Sequence, residues 1–472
     1  MTTAQKPGLR LPASKLVLAW ALIALLIPGL RFVNWIAAPQ TFTTVARGDD
    51  IPDLGILFGD APRYHAYAQA MLGRPYDSFF IRPVEGWLRT MGPPHRLVTP
   101  DHALTPWRDF SFEYPPGALA AILPPALLTS DLVAYCLLFS LEMSLFLTLA
   151  LWLGVRAAER LRPGAGLTVL QLGVVYFLLS TSLVAWHYDA LVALTLAAFT
   201  YGIATGAPML AALSLAAAVL VKGAPVLLIP IALTHVWLGA SWRRALPAAA
   251  AGALVVAGGA AIYVAAASAP AFDMFAYHAA RPVQIESPYG AVALILNTLF
   301  SVPAQLDSAF ASINIQAGYE PALRAISGPL TVLGVLAAVG WRVWRLGRED
   351  DEATRAKRTL AASAAALIAF LVFGKVFSPQ YLVWLFPLAL APAAAIGGLA
   401  PRLLMGAVLV ARIEFPYIYA NSMEALGFVV LARDALLLAT AGVLMAGAAS
   451  ARGARAGDED LANSPTGVLV AP

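Results

Sequence analysis

Charge is the scarcest property of this sequence. Only 12% of its 472 residues are Asp, Glu, Lys or Arg, whereas 60% are hydrophobic. Soluble domains carry about 25% charged residues, so the composition excludes an ordinary soluble protein. Apolar runs of roughly 20 residues, the length that crosses a bilayer, recur along most of the chain. The sequence therefore predicts an all-α polytopic membrane protein.

Cysteine and the common catalytic motifs are almost as scarce. The single cysteine, Cys136, lies in an apolar run, which excludes an intramolecular disulfide and a cysteine-based metal site. The sequence contains no zinc-ligand spacing, Walker loop, nucleophile elbow or Rossmann fingerprint. The acidic "GDD" at 48–50 has no partner motif, so we predict no metal and no cofactor. The net charge of +4 is spread over separate loops, which indicates membrane orientation and not nucleic-acid binding.

The hydrophobic pattern predicts about twelve membrane spans. They are 16–36, 131–155, 166–185, 189–205, 208–221, 225–240, 245–267, 324–345, 359–374, 378–396, 402–418 and 425–449. The first run is either a cleaved signal peptide or a retained helix, and its length favours the helix. We expect a single membrane domain over residues 1–450, followed by a disordered cytoplasmic tail at 451–472.

The basic loops indicate which side of the membrane each segment faces. Cytoplasmic loops are enriched in Lys and Arg. If the apolar stretch 116–129 does not span, every short basic segment lies on the side of the N-terminus. We therefore expect 116–129 to be a re-entrant or surface helix and both termini to be cytoplasmic. The long loops 39–130 and 268–323 then face outward from the cytoplasmic membrane.

This orientation gathers the isolated polar residues on the outer face. They are Asp60, Glu113, His187, Asp189, Lys222, Arg281, Glu286 and Lys375. Ionisable residues at membrane depth are costly and usually mark function, so we expect an outward-facing cleft. The chain shows no internal repeat, which counts against a secondary transporter.

Asp60 opens a polar, aromatic stretch, "FGDAPRYHAYAQAMLGRPY" at 58–76. A helix beginning there places Asp60, Tyr64 and Tyr67 on one face. Asp is a favoured N-cap residue, so the side chain either caps the helix or faces the cleft as a free carboxylate.

Three other polar residues permit both a structural and a functional interpretation. Glu113 in "FEYPPG" is either an interfacial charge or part of the site. Asp189 in "WHYDA" is either a helix cap or part of the site. Lys222 in "VKGAP" either snorkels to the surface or binds a phosphate, and the absence of an acid in the neighbouring turn favours phosphate binding.

Two further polar segments carry hydrogen-bond donors. "YHAARPVQIESPYG" at 277–290 contains His278 and Arg281, and "FGKVFSPQYLVW" at 373–384 contains Lys375 and Gln380. These side chains suit phosphate or sugar oxygens, or they anchor the chain at the membrane interface.

The order of these segments resembles glycosyltransferase family 87, membrane enzymes of the GT-C fold class that use polyprenyl-phosphate sugars. The resemblance covers most of residues 16–400, and "KVFSPQYLVWLFPL" and the early "FGD…GRPY" block are its most specific parts. It implies inverting transfer of a sugar, most often mannose, to an acceptor hydroxyl outside the membrane. The family's proposed general base maps onto Asp60. The insert 77–111 departs from the family pattern, and it either covers the site or recognises the acceptor.

The chemistry of such a transfer fits the residues present. A phosphate leaving group needs cations and not a proton, so Lys222, Arg281 and Lys375 are candidates to bind it. A single carboxylate suffices to deprotonate the acceptor, which we expect to be a glycolipid or glycan. Tyr64, Tyr67 and Trp186 are candidates for a sugar platform. The alternative function is a non-catalytic transporter or flippase of lipid-linked sugars.

Overall fold

The computed structural model describes residues 59–84, 95–239, 242–268, 272–310, 312–346 and 351–450. The predicted all-α polytopic architecture is confirmed, because helices dominate the described chain. The first predicted span, the "GDD" segment and the C-terminal tail lie outside these residues.

The helices and strands follow one another in this order. The helices are α1 Ala61–Met71, α2 Leu119–Leu128, α3 Leu132–Leu161, α4 Ala165–Val184, α5 Asp189–Ala204, α6 Pro208–Val221, α7 Ile229–Gly239, α8 Trp242–Ala267, α9 Asp273–Ala280, α10 Pro288–Phe300, α11 Glu320–Trp344, α12 Glu352–Phe373, α13 Leu382–Ile396, α14 Ala400–Arg412, α15 Tyr419–Asn421 and α16 Met423–Ser450. Two antiparallel strand pairs join β1 Tyr76–Asp77 to β2 Leu97–Val98 and β3 Gln305–Ala309 to β4 Ser312–Gln316. Short 3₁₀ turns occupy Pro116–Ala118, Ala224–Leu228 and Pro379–Tyr381, and a π-helical turn occupies Ile413–Ile418.

Seven helical segments in the described part of the chain are long and apolar enough to cross a membrane. They coincide with seven of the predicted spans: Leu132–Leu161, Ala245–Ala267, Glu320–Trp344, Glu352–Phe373, Pro379–Ile396, Ala400–Asn421 and Met423–Ser450. The predicted spans at 166–185, 189–205, 208–221 and 225–240 correspond to shorter apolar helices. The total of about twelve spans and the re-entrant character of α2 stay predictions.

Helices α12 and α13 form the centre of the bundle. Every residue of α13 from Leu382 to Ala395 is buried, as expected for a helix that is apolar all round. Helix α12 presents a run of alanines that allows α11, α13 and α16 to pack closely against it. Helices α3 and α5 also pack against α13.

One end of the bundle is held together by basic side chains. Arg162 donates to the carbonyl oxygen of Ala394, and Arg358 donates to that of Ala448. Arg342 donates to the Thr359 hydroxyl, which also lies 3.0 Å from a ring nitrogen of His235. The predicted site residues lie at the other end. Which end faces the cytoplasm stays a prediction.

The segment 268–323 is more structured than the predicted outer loop. It contains the apolar helix α10, which packs against α16 around a second hydrophobic cluster. The "RPVQIES" stretch runs as an extended segment beside the β3–β4 hairpin, since Ile315 donates its backbone N–H to the carbonyl oxygen of Val283 and Ile285 donates to that of Ile313. On its other side, Gln284 donates its N–H to the carbonyl oxygen of Lys375.

A buried arginine fixes this segment to the C-terminal helices. Arg433 is fully buried and donates two hydrogen bonds to the Glu414 carboxylate, at 2.7 and 2.8 Å. It also donates to the carbonyl oxygen of Glu286 and lies over the ring of Phe377. The C-terminal helices thereby contact both segments, 277–290 and 373–384, that carry predicted site residues.

Candidate functional site

Asp60 stands at the start of α1 but does not cap it. Gly59 precedes it with φ of +53°, and a Cβ there would lie 3.0 Å from Trp186 Cβ, so the sharp turn requires glycine. The Asp60 carbonyl accepts the Tyr64 N–H as the helix begins. Its carboxylate makes no capping hydrogen bond. The capping interpretation of this side chain is therefore wrong.

The Asp60 carboxylate faces polar groups at the end of the bundle. One oxygen accepts a 3.3 Å hydrogen bond from the Tyr64 hydroxyl and lies 3.7 Å from Nε2 of His187. The Asp60 side chain is 32% exposed to solvent. Burial raises the pKa of Asp60, but Arg63, His187 and Lys222 and the Tyr64 hydrogen bond outweigh it and lower the pKa overall. The carboxylate is therefore ionised at neutral pH and available to take a proton.

Glu113 is buried, and its carboxylate is bonded to two side chains of α1. Its carboxylate accepts hydrogen bonds from the Tyr67 hydroxyl at 2.8 Å and from Arg63 at 3.2 Å. Nε2 of His278 lies 3.0 Å from its backbone oxygen, and burial followed by the charge of Arg281 lowers the pKa of His278. Glu113 is therefore not a free interfacial charge, because its side chain is bonded to α1 and its backbone oxygen contacts α9.

Lys222 and Asp189 form an ion pair inside an aromatic cage. The Lys222 ammonium lies 3.1 Å from the Asp189 carboxylate, which also accepts a 2.7 Å hydrogen bond from the indole N–H of Trp384. Four rings surround the ammonium at 4.6 to 5.8 Å, those of Tyr114, Tyr188, Tyr381 and Trp384.

Two sequence interpretations are corrected by this pair. The argument that Lys222 has no acid to pair with fails, because folding brings Asp189 to it from the start of α5. Asp189 is the first residue of α5 and the helix start has no side-chain capping bond, so Asp189 is not a cap. Its buried carboxylate instead forms an ion pair with Lys222 and accepts a hydrogen bond from Trp384.

A close backbone contact brings the "FEYPPG" turn to Lys222. A Cβ on Gly117 would lie 2.6 Å from the carbonyl carbon and oxygen of Leu220, a distance that side chains do not tolerate. Glycine therefore lets the turn at Pro116–Ala118 rest directly on the last turn of α6. Tyr114 can then face the Lys222 cage.

A second basic cluster contains Arg281, Lys375 and Arg324, with Glu320 as the acid among them. Lys375 donates to the carbonyl oxygen of Ala279, and Arg281 donates to the Ser312 hydroxyl at 3.3 Å. Burial, followed by the charges of Arg324 and Arg281, lowers the pKa of Lys375 to about 8. Such a crowded group of cations is suited to bind an anion. Gln380 is half-buried in the 3₁₀ turn that precedes α13.

The predicted site residues thus share one end of the bundle but fall into three groups. The first group is Asp60, Tyr64, Tyr67 and Glu113, which surround Arg63. The second group is the pair of Lys222 and Asp189 in the aromatic cage. The third group is Arg281 and Lys375, beside the β3–β4 hairpin. Tyr64, Tyr67 and Trp186 are all buried, so none exposes a ring face as a platform. Sequence reasoning gave no site role to Arg63, Tyr381 or Trp384, although all three lie in stretches that it singles out, and it placed His187 on the outer face without a role. No group of three or more His, Cys, Asp or Glu side chains suited to a metal occurs among the described residues.

Comparisons with known proteins identify the family. The sequence model of glycosyltransferase family 87 matches residues 112–374, which is more than half of the chain. No curated protein matches the sequence significantly. Among solved structures, the chain is similar to the crystal structure of ArnT from Cupriavidus metallidurans bound to undecaprenyl phosphate, with 15% identity and a TM-score of 0.41 over 92% of this chain and 83% of that one. That similarity is too low to carry an argument, whereas the family match confirms the predicted resemblance. The chain therefore belongs to glycosyltransferase family 87 and is a multi-pass membrane glycosyltransferase.

Proposed function

We propose that this protein transfers a sugar, with mannose as the first choice, from a polyprenyl-phosphate donor to an acceptor hydroxyl. The transfer takes place on the outer face of the cytoplasmic membrane and inverts the anomeric carbon. The observation that carries the proposal is the carboxylate of Asp60. It stands at a helix start without capping it, is partly exposed, and has a lowered pKa. Family membership supports the GT-C type of fold that the resemblance implies.

Asp60 acts as the general base in this proposal. The acceptor hydroxyl gives its proton to the Asp60 carboxylate while its oxygen forms a bond to the anomeric carbon. The bond from that carbon to the phosphate oxygen breaks in the same step, and polyprenyl phosphate leaves with the electron pair. A single displacement from the face opposite the leaving group inverts the configuration. Tyr64 and His187 hold the carboxylate in place.

The leaving phosphate needs positive charge and not a proton. Arg281 and Lys375 provide it from the basic cluster beside the hairpin, where Glu320 is the acid that acts on Lys375. Lys222 is the third candidate, and its charge also acts on Asp60. Because Asp189 already pairs with Lys222, a phosphate would share this lysine with Asp189. Hydrogen bonds from a charged lysine or arginine to a phosphate are stronger than hydrogen bonds between neutral groups.

Purified protein in lipid nanodiscs tests the proposed function. It is incubated with radiolabelled polyprenyl-phosphate mannose, glucose or arabinofuranose and with a membrane glycolipid extract as the acceptor. We expect label to pass from one donor to the extract, with mannose the strongest, and the product to have the anomeric configuration opposite to the donor.

The alternative function gives a different result in the same experiment. A non-catalytic transporter would bind the labelled donor and move it across sealed vesicles without forming product. Retention of the anomeric configuration, or donor binding without any transfer, would reject the proposal.

A further inference from the structure

A polar, aromatic cavity opens beside Glu113 at the same end of the bundle as Asp60. It is an open cleft with about 450 Å³ of space between its walls, part of which is open to solvent. Its walls include Phe79, Phe80, Arg82, Glu113, Tyr277 and Phe310. Residues 79–82 belong to the insert 77–111. From the sequence, this insert either covers the site or recognises the acceptor.

The insert holds its two phenylalanines rigidly at the cavity wall. The Asp77 carboxylate accepts the backbone N–H of Phe79 at 2.9 Å and lies 2.9 Å from Nδ1 of His95. The His95 ring stacks on Phe79 with the ring centres 3.9 Å apart, and Phe80 packs edge-on against Phe79. The pairing of β1 with β2 brings these residues together. A wall fixed before binding lowers the entropy lost when a ligand binds.

The opposite wall comes from α9 and the β3–β4 hairpin. The Tyr277 ring packs against Phe310 at 5.2 Å, and its hydroxyl donates to the Phe310 carbonyl oxygen. The Ser111 N–H donates to the carbonyl oxygen of Arg82, which joins the last residue of the insert to its beginning, next to the "FEYPPG" segment. The cavity therefore lies between two tethered aromatic surfaces.

One side chain links this cavity to the proposed base. Arg63 lines the cavity and is ion-paired with Glu113. It lies one turn beyond Asp60 on α1, and its charge acts on the Asp60 carboxylate. A ligand in the cavity that contacts Arg63 would therefore reach the neighbourhood of Asp60.

The cavity provides partners for both kinds of surface on a sugar ring. The C–H faces of a sugar pack on aromatic rings, and its hydroxyl groups bond to carboxylates and guanidinium groups, here Glu113, Arg63 and Arg82. A lipid chain offers no hydrogen-bonding group to these charged side chains, whereas the hydroxyl groups of a sugar do. We propose that the cavity binds a saccharide unit of the acceptor and directs one of its hydroxyl groups toward Asp60.

This inference rests on the proposed function for the role of Asp60, but the binding site itself can be tested without catalysis. Phe79, Phe80 and Arg82 belong to the insert 77–111, which departs from the family pattern. The insert is therefore expected to set the acceptor preference of this particular chain.

Saturation-transfer NMR measures the binding directly. Protein in nanodiscs free of glycolipid is mixed with the methyl α-glycosides of mannose, glucose and galactose, and transfer to their ring protons is recorded. We expect at least one glycoside to bind, and the double substitution Phe79→Ala, Phe80→Ala to weaken it by roughly tenfold, because two ring contacts are lost. Phe300→Ala is the matched control, since this ring is 68% exposed and does not line the cavity.

A second arm separates the failure of this inference from the failure of the proposed function. With polyprenyl-phosphate mannose as the donor, the double variant should raise the acceptor KM and leave kcat and donor KM close to wild type. Glycoside binding by wild type without any sugar transfer would reject the proposed function and keep the saccharide site. Equal binding by wild type and the double variant, or no glycoside binding by wild type, would overturn the inference.

Discussion

At the scale of single residues, Lys375 should give the proposed donor site a distinct pH dependence. Its pKa is lowered to about 8 by burial and by Arg324 and Arg281. Lys375 is charged below this pH and neutral above it, so affinity for the donor phosphodiester should fall by roughly tenfold as the pH rises from 7 to 9.5. Binding of a fluorescent polyprenyl-phosphate sugar across this range measures the effect.

A matched variant identifies the group responsible. Arginine keeps its charge throughout, so Lys375→Arg should bind donor with a nearly flat profile, whereas Lys375→Ala should bind weakly at every pH. A profile that is the same in wild type and Lys375→Arg would show that another group titrates.

The Lys222–Asp189 pair should be visible as a coupling in stability. Lys222→Met leaves the buried Asp189 carboxylate with only its Trp384 hydrogen bond, and an unpaired buried charge costs about 2 kcal/mol or more. Adding Asp189→Asn to this variant should recover a large part of the loss. Thermal unfolding of both single variants and the double variant measures the coupling. Additive losses would mean that the two side chains do not stabilise each other.

Local sequence rules described these carboxylates only in part. Asp60 and Asp189 both stand at helix starts, as predicted, yet neither side chain caps its helix. Capping is a local interaction, whereas their actual partners come from elsewhere in the chain. Lys222 reaches Asp189 from another helix, and His187 meets Asp60 from the turn before α5. Such pairs depend on helix packing, which the local sequence does not encode.

At the scale of elements, the contact between Gly117 and α6 positions the site. A Cβ at Gly117 would meet the Leu220 carbonyl at 2.6 Å, so Gly117→Ala should push the 3₁₀ turn away from α6. We expect a loss of about 1–3 kcal/mol in stability, together with reduced transfer activity, because Tyr114 and Lys222 move apart. Thermal unfolding and transfer assays measure the two effects.

Gly223→Ala is the matched control, one residue beyond Lys222. A Cβ there meets nothing within 4 Å, and its φ of −52° suits alanine. This variant should be as stable as wild type or slightly more stable. A Gly117→Ala protein that matches the Gly223→Ala protein in stability and activity would contradict the assigned contact.

Hydrophobic length predicted the elements well where a helix was long and failed where it was short. Seven predicted spans coincide with helices that are long enough to cross a membrane. The apolar run of helix α10 is short and lies between polar stretches, so hydrophobic length alone predicts a loop over the whole of 268–323. Its apolar face is explained by packing on α16, a contact between distant parts of the chain.

At the scale of the whole molecule, the orientation in the membrane follows from the basic loops. We predict that both termini are cytoplasmic and that Ser308, which is exposed in β3, faces outward. After replacement of Cys136, a membrane-impermeant thiol reagent should modify Ser308→Cys in intact cells. It should modify Ser464→Cys only after the membrane is opened. Labelling of Ser464→Cys in intact cells would reverse or refute the topology.

The central claim is that Asp60 takes the proton from the acceptor, and Asp60→Asn tests it most directly. Asparagine preserves the shape of the side chain but cannot accept the proton. The rate of sugar transfer and the affinity for a polyprenyl-phosphate sugar are measured on the same purified variant, with its unfolding temperature as the check on folding. We predict wild-type donor affinity and a transfer rate reduced by roughly 10²–10⁴-fold, the range for a lost general base. A folded Asp60→Asn protein that transfers sugar at nearly the wild-type rate would contradict the account.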